Sequence, residues 1–157
     1  ILMELRPLVS TPPLLKPGER IYLSEAPDRQ ILIFERVITY SDLSATAKNN
    51  LREVLTSLVR DHEKRFVEFF NNAQPLTKRT HELELLKGVG KKTLWKILEE
   101  RKKKPFESFE DIERRTGIDP VKLIVERILE ELQEPQTRYL FVKPPRWFPP
   151  REGIGRR

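Results

Sequence analysis

The chain has 157 residues, of which 38% are hydrophobic and 34% charged, with no cysteine and a formal net charge of +6. This is enough apolar material for one ordinary domain or two small ones, which argues against a disordered chain. Because there is no cysteine, no signal pattern and no apolar run near the roughly 20 residues of a membrane span, we expect a cytoplasmic protein without membrane contact.

The first forty residues have the pattern of short strands. Runs rich in Ile, Val, Tyr and Phe, separated by Pro, Gly and Asp, are typical of a small twisted sheet or barrel. These runs cover residues 5–9, 20–23 and 30–38. Since three strands cannot close a barrel, a later strand over residues 138–142 is the candidate to join them.

From residue 41 the apolar spacing changes to that of a helix. The apolar stripe predicts one long amphipathic helix over residues 45–72, within a connecting segment 41–75. His62 falls on this stripe, where we expect a packed side chain, because no other ligand-type residue stands at metal-binding spacing with it. We therefore predict no metal and no cofactor. Three phenylalanines near the end of the helix, Phe66, Phe69 and Phe70, should be buried against the helices that follow.

Residues 76–135 predict four shorter helices, arranged as helix, turn, helix, repeated twice. The first pair covers residues 81–87, ending at Gly88, and then the stretch after Gly90 to about Arg101.

In the second pair, Ser108 and Asp111 form a capping box that opens one helix, and Gly117 closes it. Asp119 as N-cap, followed by Pro120, opens the last helix.

The turn of the first pair resembles the helix-hairpin-helix motif of proteins that handle DNA and RNA. Glycines at 88 and 90 permit positive φ and close approach to the backbone. The next helix begins here and presents free N–H groups and the positive end of its dipole. Such a site suits a phosphate, and phosphate contacts carry no base information. The motif usually has proline in place of Lys87 and a small residue in place of Leu94.

The last segment, residues 136–157, is a basic, proline-rich tail with six Lys and Arg against one acidic residue. Its arginines can meet phosphates and its tryptophan can stack on a base, although a solvated tail explains the charge about as well. The predicted nucleic-acid-binding residues are therefore Lys87, Gly88, Val89, Gly90, Lys91, Lys92 and Thr93 in the turn, with Arg146, Trp147 and Arg151 in the tail.

Over nearly its whole length the chain resembles the archaeal domain-of-unknown-function family 655, whose members are regarded as RNA-binding. The resemblance rests on residues 66–75, 83–86 and 104–111. It implies an α+β fold: an OB-like β-barrel over residues 1–40, incomplete at its start, then the long helix and an all-α tandem helix-hairpin-helix domain.

The leading hypothesis is a non-catalytic protein that binds RNA. Alternatives are an accessory factor of DNA repair or recombination that binds duplex DNA, and a module for a protein partner or homodimer. Catalysis is disfavoured. Asp111 stands about where base-excision glycosylases place a catalytic aspartate, but the capping box already explains it.

Overall fold

The computed structural model describes residues 2–7, 15–16, 18–19, 21 and 32–143. The chain divides into two compact units, one of Ile1–Leu51 with Glu131–Arg157 and one of Arg52–Glu130. Its helices and strands are β1 (Met3–Pro7), β2 (Leu32–Val37), α1 (Ala45–Asp61), α2 (Glu63–Asn72), α3 (Lys91–Lys103), α4 (Phe109–Thr116) and α5 (Pro120–Gln133), with 3₁₀ helices at Tyr40–Asp42 and Glu82–Leu85.

The expected OB-like barrel is wrong for the part of the chain described. Strands β1 and β2 form a two-stranded antiparallel sheet, with a register shift between Glu4 and Leu5. Ion pairs cross the sheet on its polar side, at 2.8 Å between Arg6 and Glu35 and 2.7 Å between Arg36 and Glu4. The expected strand over residues 20–23 lies outside the described residues apart from Ile21, which has no regular structure.

The strand expected over residues 138–142 does not form either. The backbone N–H groups of Leu140, Phe141 and Val142 donate instead to the carboxylate of Glu131, at 2.6, 3.0 and 2.8 Å. That carboxylate belongs to a buried residue at the end of α5. Because these donors are occupied, they are not available to a β-ladder. We call this arrangement the Glu131 clamp.

The long helix is interrupted at one residue. His62 separates α1 from α2 with φ −113° and ψ 29°, and its ring Nδ1 lies 2.9 Å from the carbonyl oxygen of Leu58. The histidine is exposed, so the expectation that it packs into the apolar stripe is wrong. The aromatic end of the stripe is where it was expected, since Phe66 and Phe70 are buried and Phe69 is half-buried.

The best-packed core of the described residues lies in the second unit. Its fully buried side chains come from α1 to α5 and the 3₁₀ helix before α3, and they are Val59, Phe70, Leu83, Leu86, Ile97, Ile112, Pro120 and Ile124. Polar side chains also hold these helices together. Asn71 donates to the carbonyl of Phe106 (2.9 Å) and accepts from its N–H (2.8 Å). Arg101 donates to the carbonyls of Phe70 and Ala73 at the end of α2, both at 3.0 Å.

The ends of α4 and α5 lie where the sequence signals placed them, but the capping box expected at Ser108 and Asp111 forms only in part. The Asp111 carboxylate accepts from the N–H of Glu107 and not from that of Ser108. Ser108 accepts from the N–H of Asp111 at 3.0 Å, and Gly117 ends α4 in the left-handed region at φ 78°. Asp119 accepts from the N–H of Lys122 at 3.0 Å, and Pro120 begins α5. None of the helices in the described ranges is both long and apolar enough to cross a lipid bilayer.

Candidate nucleic-acid interface

The candidate site is the Gly-Val-Gly turn, Gly88–Gly90, together with the first turn of α3. The element before it is shorter than expected, because residues 81–87 contain a 3₁₀ helix over Glu82–Leu85 rather than an α-helix. Val89 is buried, and its N–H donates to the carbonyl of Leu86 at 3.0 Å, closing the turn. The turn thus points its valine inward and its two glycines outward.

The two glycines differ in conformation. Gly88 has φ +101°, which L side chains rarely adopt. Gly90 is extended, at φ −85° and ψ −178°, and is the N-cap of α3. A Cβ at Gly90 would meet no atom within 4 Å, so the space outside this residue is open.

The N-cap of α3 therefore has no side chain to satisfy the helix. Gly90 makes no side-chain capping bond, whereas Ser108 and Asp119 cap α4 and α5. The first-turn N–H groups of α3, at the positive end of its dipole, therefore receive no capping side chain from Gly90, and the space beside that residue is open. An uncapped helix start of this kind is suited to binding an anion.

Polar contacts from the residues before the turn and from α5 hold the turn in place. His81 accepts from the N–H of Leu83 (3.2 Å), while its own backbone N–H donates to Glu84 (2.7 Å). Burial, with a smaller contribution from the charge of Arg101, lowers the pKa of His81, so the ring is neutral and its nitrogen can accept. Arg127 of α5 donates to the carbonyl of Leu85 at 3.3 Å. These contacts fix the backbone on which the site is built.

The predicted lysines are not equivalent. Lys91 is engaged internally, with its Nζ 2.7 Å from Glu84 and 2.6 Å from the carbonyl oxygen of Arg79. This ammonium, with the backbone N–H of His81, lowers the pKa of Glu84. Lys87 is highly exposed, with its Nζ 4.0 Å from Glu130. Lys92 is exposed and has no ion pair within the described ranges, so among the three predicted lysines of the turn its ammonium is the least engaged.

Two further cations, which the sequence did not indicate, lie beside the turn. An isolated β-bridge between Pro75 and His81 closes the loop that carries Lys78 and Arg79, both exposed. The contact from Lys91 to the Arg79 carbonyl holds this loop against the start of α3. Because the two basic residues precede the motif by about ten positions, only the folded loop reveals their proximity.

Other candidates are placed elsewhere. Thr93 is half-buried in the first turn of α3. Arg146, Trp147 and Arg151 lie outside the described residues.

The carboxylate of Asp111 is already hydrogen-bonded. It accepts from Arg114 (2.7 Å), Arg115 (3.0 Å) and the N–H of Glu107 (3.3 Å). Burial alone would raise the pKa of Asp111, but these bonds lower it below its usual range. Within the described ranges no group of three His, Cys, Asp or Glu could hold a metal ion.

Comparison with known proteins identifies the family. The family model described as "protein of unknown function (DUF655)" matches residues 1–143. The chain belongs to this family. It is 43% identical over 145 residues to an uncharacterised protein of Methanocaldococcus jannaschii, a match that covers 91% of the chain and 66% of that relative. The chain thus spans slightly less than two thirds of the relative's length.

A solved member of the same family has a similar fold. The crystal structure of Af1531 from Archaeoglobus fulgidus is 44% identical, with a TM-score of 0.73 over 87% of this chain and 75% of that one. Both relatives are archaeal.

Proposed function

We propose that this DUF655 chain is a non-catalytic nucleic-acid-binding protein that holds a backbone phosphate at the Gly-Val-Gly turn, in the manner of a helix-hairpin-helix motif. The observation that carries the proposal is the uncapped start of α3, where Gly90 provides no capping side chain and the space beside it is open. A negative group is stabilised there by the helix dipole and by direct hydrogen bonds.

The charges around the turn support a polyanionic ligand. Lys87 and Lys92 flank the open position, and Lys78 and Arg79 lie on the neighbouring loop. Cations spread over several ångströms match a chain of phosphates better than one small anion. We take RNA as the ligand because family resemblance implies it. A non-catalytic role is favoured because the oxygens of Asp111 are already bonded to Arg114, Arg115 and Glu107.

The first test reverses charge at the turn. The variant Lys87→Glu with Lys92→Glu leaves intact Lys91, whose ammonium holds the neighbouring loop. We expect weaker binding of RNA at one stated salt concentration. The slope of log K against log salt should flatten by about 0.7 for each single-strand phosphate that the variant no longer neutralises.

The matched control reverses the same number of charges elsewhere. Arg60→Glu with Lys64→Glu alters two exposed cations of α1 and α2. Binding of single-stranded RNA, structured RNA and duplex DNA is measured for all three proteins. If the turn variant keeps its circular dichroism, wild-type affinity and wild-type salt slope for every nucleic acid, the turn is not the binding site. A concentration-dependent dimer in sedimentation would then favour the dimerisation alternative.

The second test leaves every charge unchanged. Gly90→Val places a branched side chain in the open space at the start of α3, and its φ of −85° suits any residue. The variant should fold normally and lose affinity, because the valine blocks approach to the N–H groups. Retained affinity would mean that the ligand does not touch this backbone.

A further inference from the structure

A tryptophan on the second helix of the turn is unusually exposed. Trp95 of α3 has 60% of its surface accessible. Among the exposed large hydrophobic residues in the described ranges, this is the highest fraction. Its neighbours in sequence, Leu94 and Ile97, are buried, so α3 is well packed on its other face. The packing of the helix therefore does not require the indole. Tryptophan usually buries most of its large apolar surface, so this position points to a ligand.

The position of Trp95 relates it directly to the phosphate site. It stands four residues after Lys91 and three after Lys92, so the three side chains share one face of α3. It follows Gly90 by five residues, and its Cα lies about 6 Å along the helix axis from that of Lys91. Long side chains on a helix lean toward its N-terminus, which brings the indole over the turn that carries the lysines.

The charges on this face favour a phosphate on the N-terminal side of Trp95. Toward the N-terminus of α3 stand two lysines and the uncapped N–H groups. One turn beyond Trp95, on the same face, stands Glu99, which is exposed. Exposed Lys102 follows Glu99 on this face, so the charge beyond Trp95 is mixed, whereas the charge before it is positive and attracts a phosphate. With the phosphate held before Trp95, the uncharged group next to it, which is the nucleobase, can lie on the indole.

We propose that Trp95 stacks on an unpaired base of the strand whose phosphate is held at the start of α3. This inference rests on the proposed function and specifies its ligand as single-stranded or looped nucleic acid. In an intact duplex each base is already stacked between its neighbours and its face is covered. A flat, exposed aromatic side chain can contact such a face only where the strand is unpaired.

The experiment uses the fact that the full chain has two tryptophans, Trp95 and Trp147. In the variant Trp147→Phe, tryptophan fluorescence comes from Trp95 alone. It is titrated with an RNA of about 16 nucleotides that lacks self-complementarity, alone and annealed to its complement. We expect quenching by the single strand and little change with the duplex. In the same background, Trp95→Ala should weaken single-strand binding about 5- to 150-fold, and Trp95→Phe should retain most of the affinity.

The outcomes distinguish this inference from the proposed function. If the single strand binds with an affinity that depends on Lys87 and Lys92, while Trp95 fluorescence is unchanged and Trp95→Ala binds normally, the phosphate site stands and the stacking is overturned. If no nucleic acid binds, both proposals fail. If Trp95→Ala instead dissolves a dimer that the parent protein forms, and RNA affinity does not change, the indole serves a protein contact and the stacking is again overturned.

Discussion

Individual residues in the turn have separate tasks, and the two glycines illustrate this. Sequence reasoning assigned both of them positive φ and close approach. Only Gly88 has positive φ, whereas Gly90 leaves a space that a side chain would occupy. A sequence shows that glycine is present but not which of its two properties the backbone uses.

This difference predicts unequal effects of two matched substitutions on stability. Gly88→Ala should lower stability by about 1–3 kcal/mol, because φ +101° strains any residue with a Cβ. The nearest atom to that Cβ, on Leu123, lies at an ordinary 3.7 Å, so the backbone rather than a clash sets the cost. Gly90→Ala should change the urea-unfolding midpoint much less. Equal losses for the two variants would contradict the assignment.

A second residue-scale prediction concerns pH. Hydrogen bonds, the strongest from Lys103 and others from Lys96 and Arg115, lower the pKa of Glu100 from 4.5 to about 2. They outweigh the effect of burial, which raises it. Because its pKa is depressed in the folded state, the stabilisation is complete above pH 4.5 and is lost as the pH falls toward about 2. Melting temperatures across this window should fall less steeply in Glu100→Gln. Glu99→Gln, one residue earlier on α3, controls for the loss of a charge. Identical curves for Glu100→Gln and wild type would refute the prediction.

At the scale of elements, local signals were reliable where the chain itself carries the capping chemistry. Ser108, Gly117 and Asp119 set the ends of α4 and α5 as expected, because each acts on backbone groups a few residues away. The break at His62 and the missing strand at 138–142 were not predictable. The spacing of apolar residues continues across His62, so the sequence gives no sign that the backbone leaves the helical conformation there. The acceptor for the N–H groups of residues 140–142 is the Glu131 side chain, about ten positions earlier.

The link between α2 and the segment before α4 can be tested at Asn71. Its amide satisfies both backbone groups of Phe106. In Asn71→Ala these partly buried groups lose their partner, which should cost about 1–3 kcal/mol. Asn72→Ala is the matched control, because that side chain is exposed on the same helix and its loss should cost less than about 0.5 kcal/mol. Urea unfolding measures both, and an equal effect would show that the Asn71 bonds contribute nothing.

For the whole molecule, the net charge led to the expectation of a nucleic-acid ligand, which stays a prediction, and it gave no information on how the candidate site is arranged. The turn motif was readable because glycine and lysine spacing is local. Trp95, Lys78 and Arg79 were not recognised, since exposure and loop closure depend on the fold. The barrel was over-predicted because strand-like runs show β tendency but not how many strands pair.

The basic tail predicts a contribution that is separable from the turn. Neutralising Arg146 and Arg151 to glutamine should weaken RNA binding and lower the salt slope by up to about 0.7 for each phosphate that the tail no longer neutralises. The matched variant Arg60→Gln with Lys64→Gln removes the same charge from α1 and α2. If the two double variants have the same salt slope, the tail acts only through net charge.

The Glu131 clamp gives an irregular segment the behaviour of a regular one. Three consecutive N–H groups end on the two oxygens of one buried carboxylate. Their amide hydrogens can exchange with solvent only when the hydrogen bonds to the Glu131 carboxylate break, so all three should exchange together rather than one by one. Residues 140–142 should then show the correlated protection factors of a helical turn, although they belong to no helix or strand.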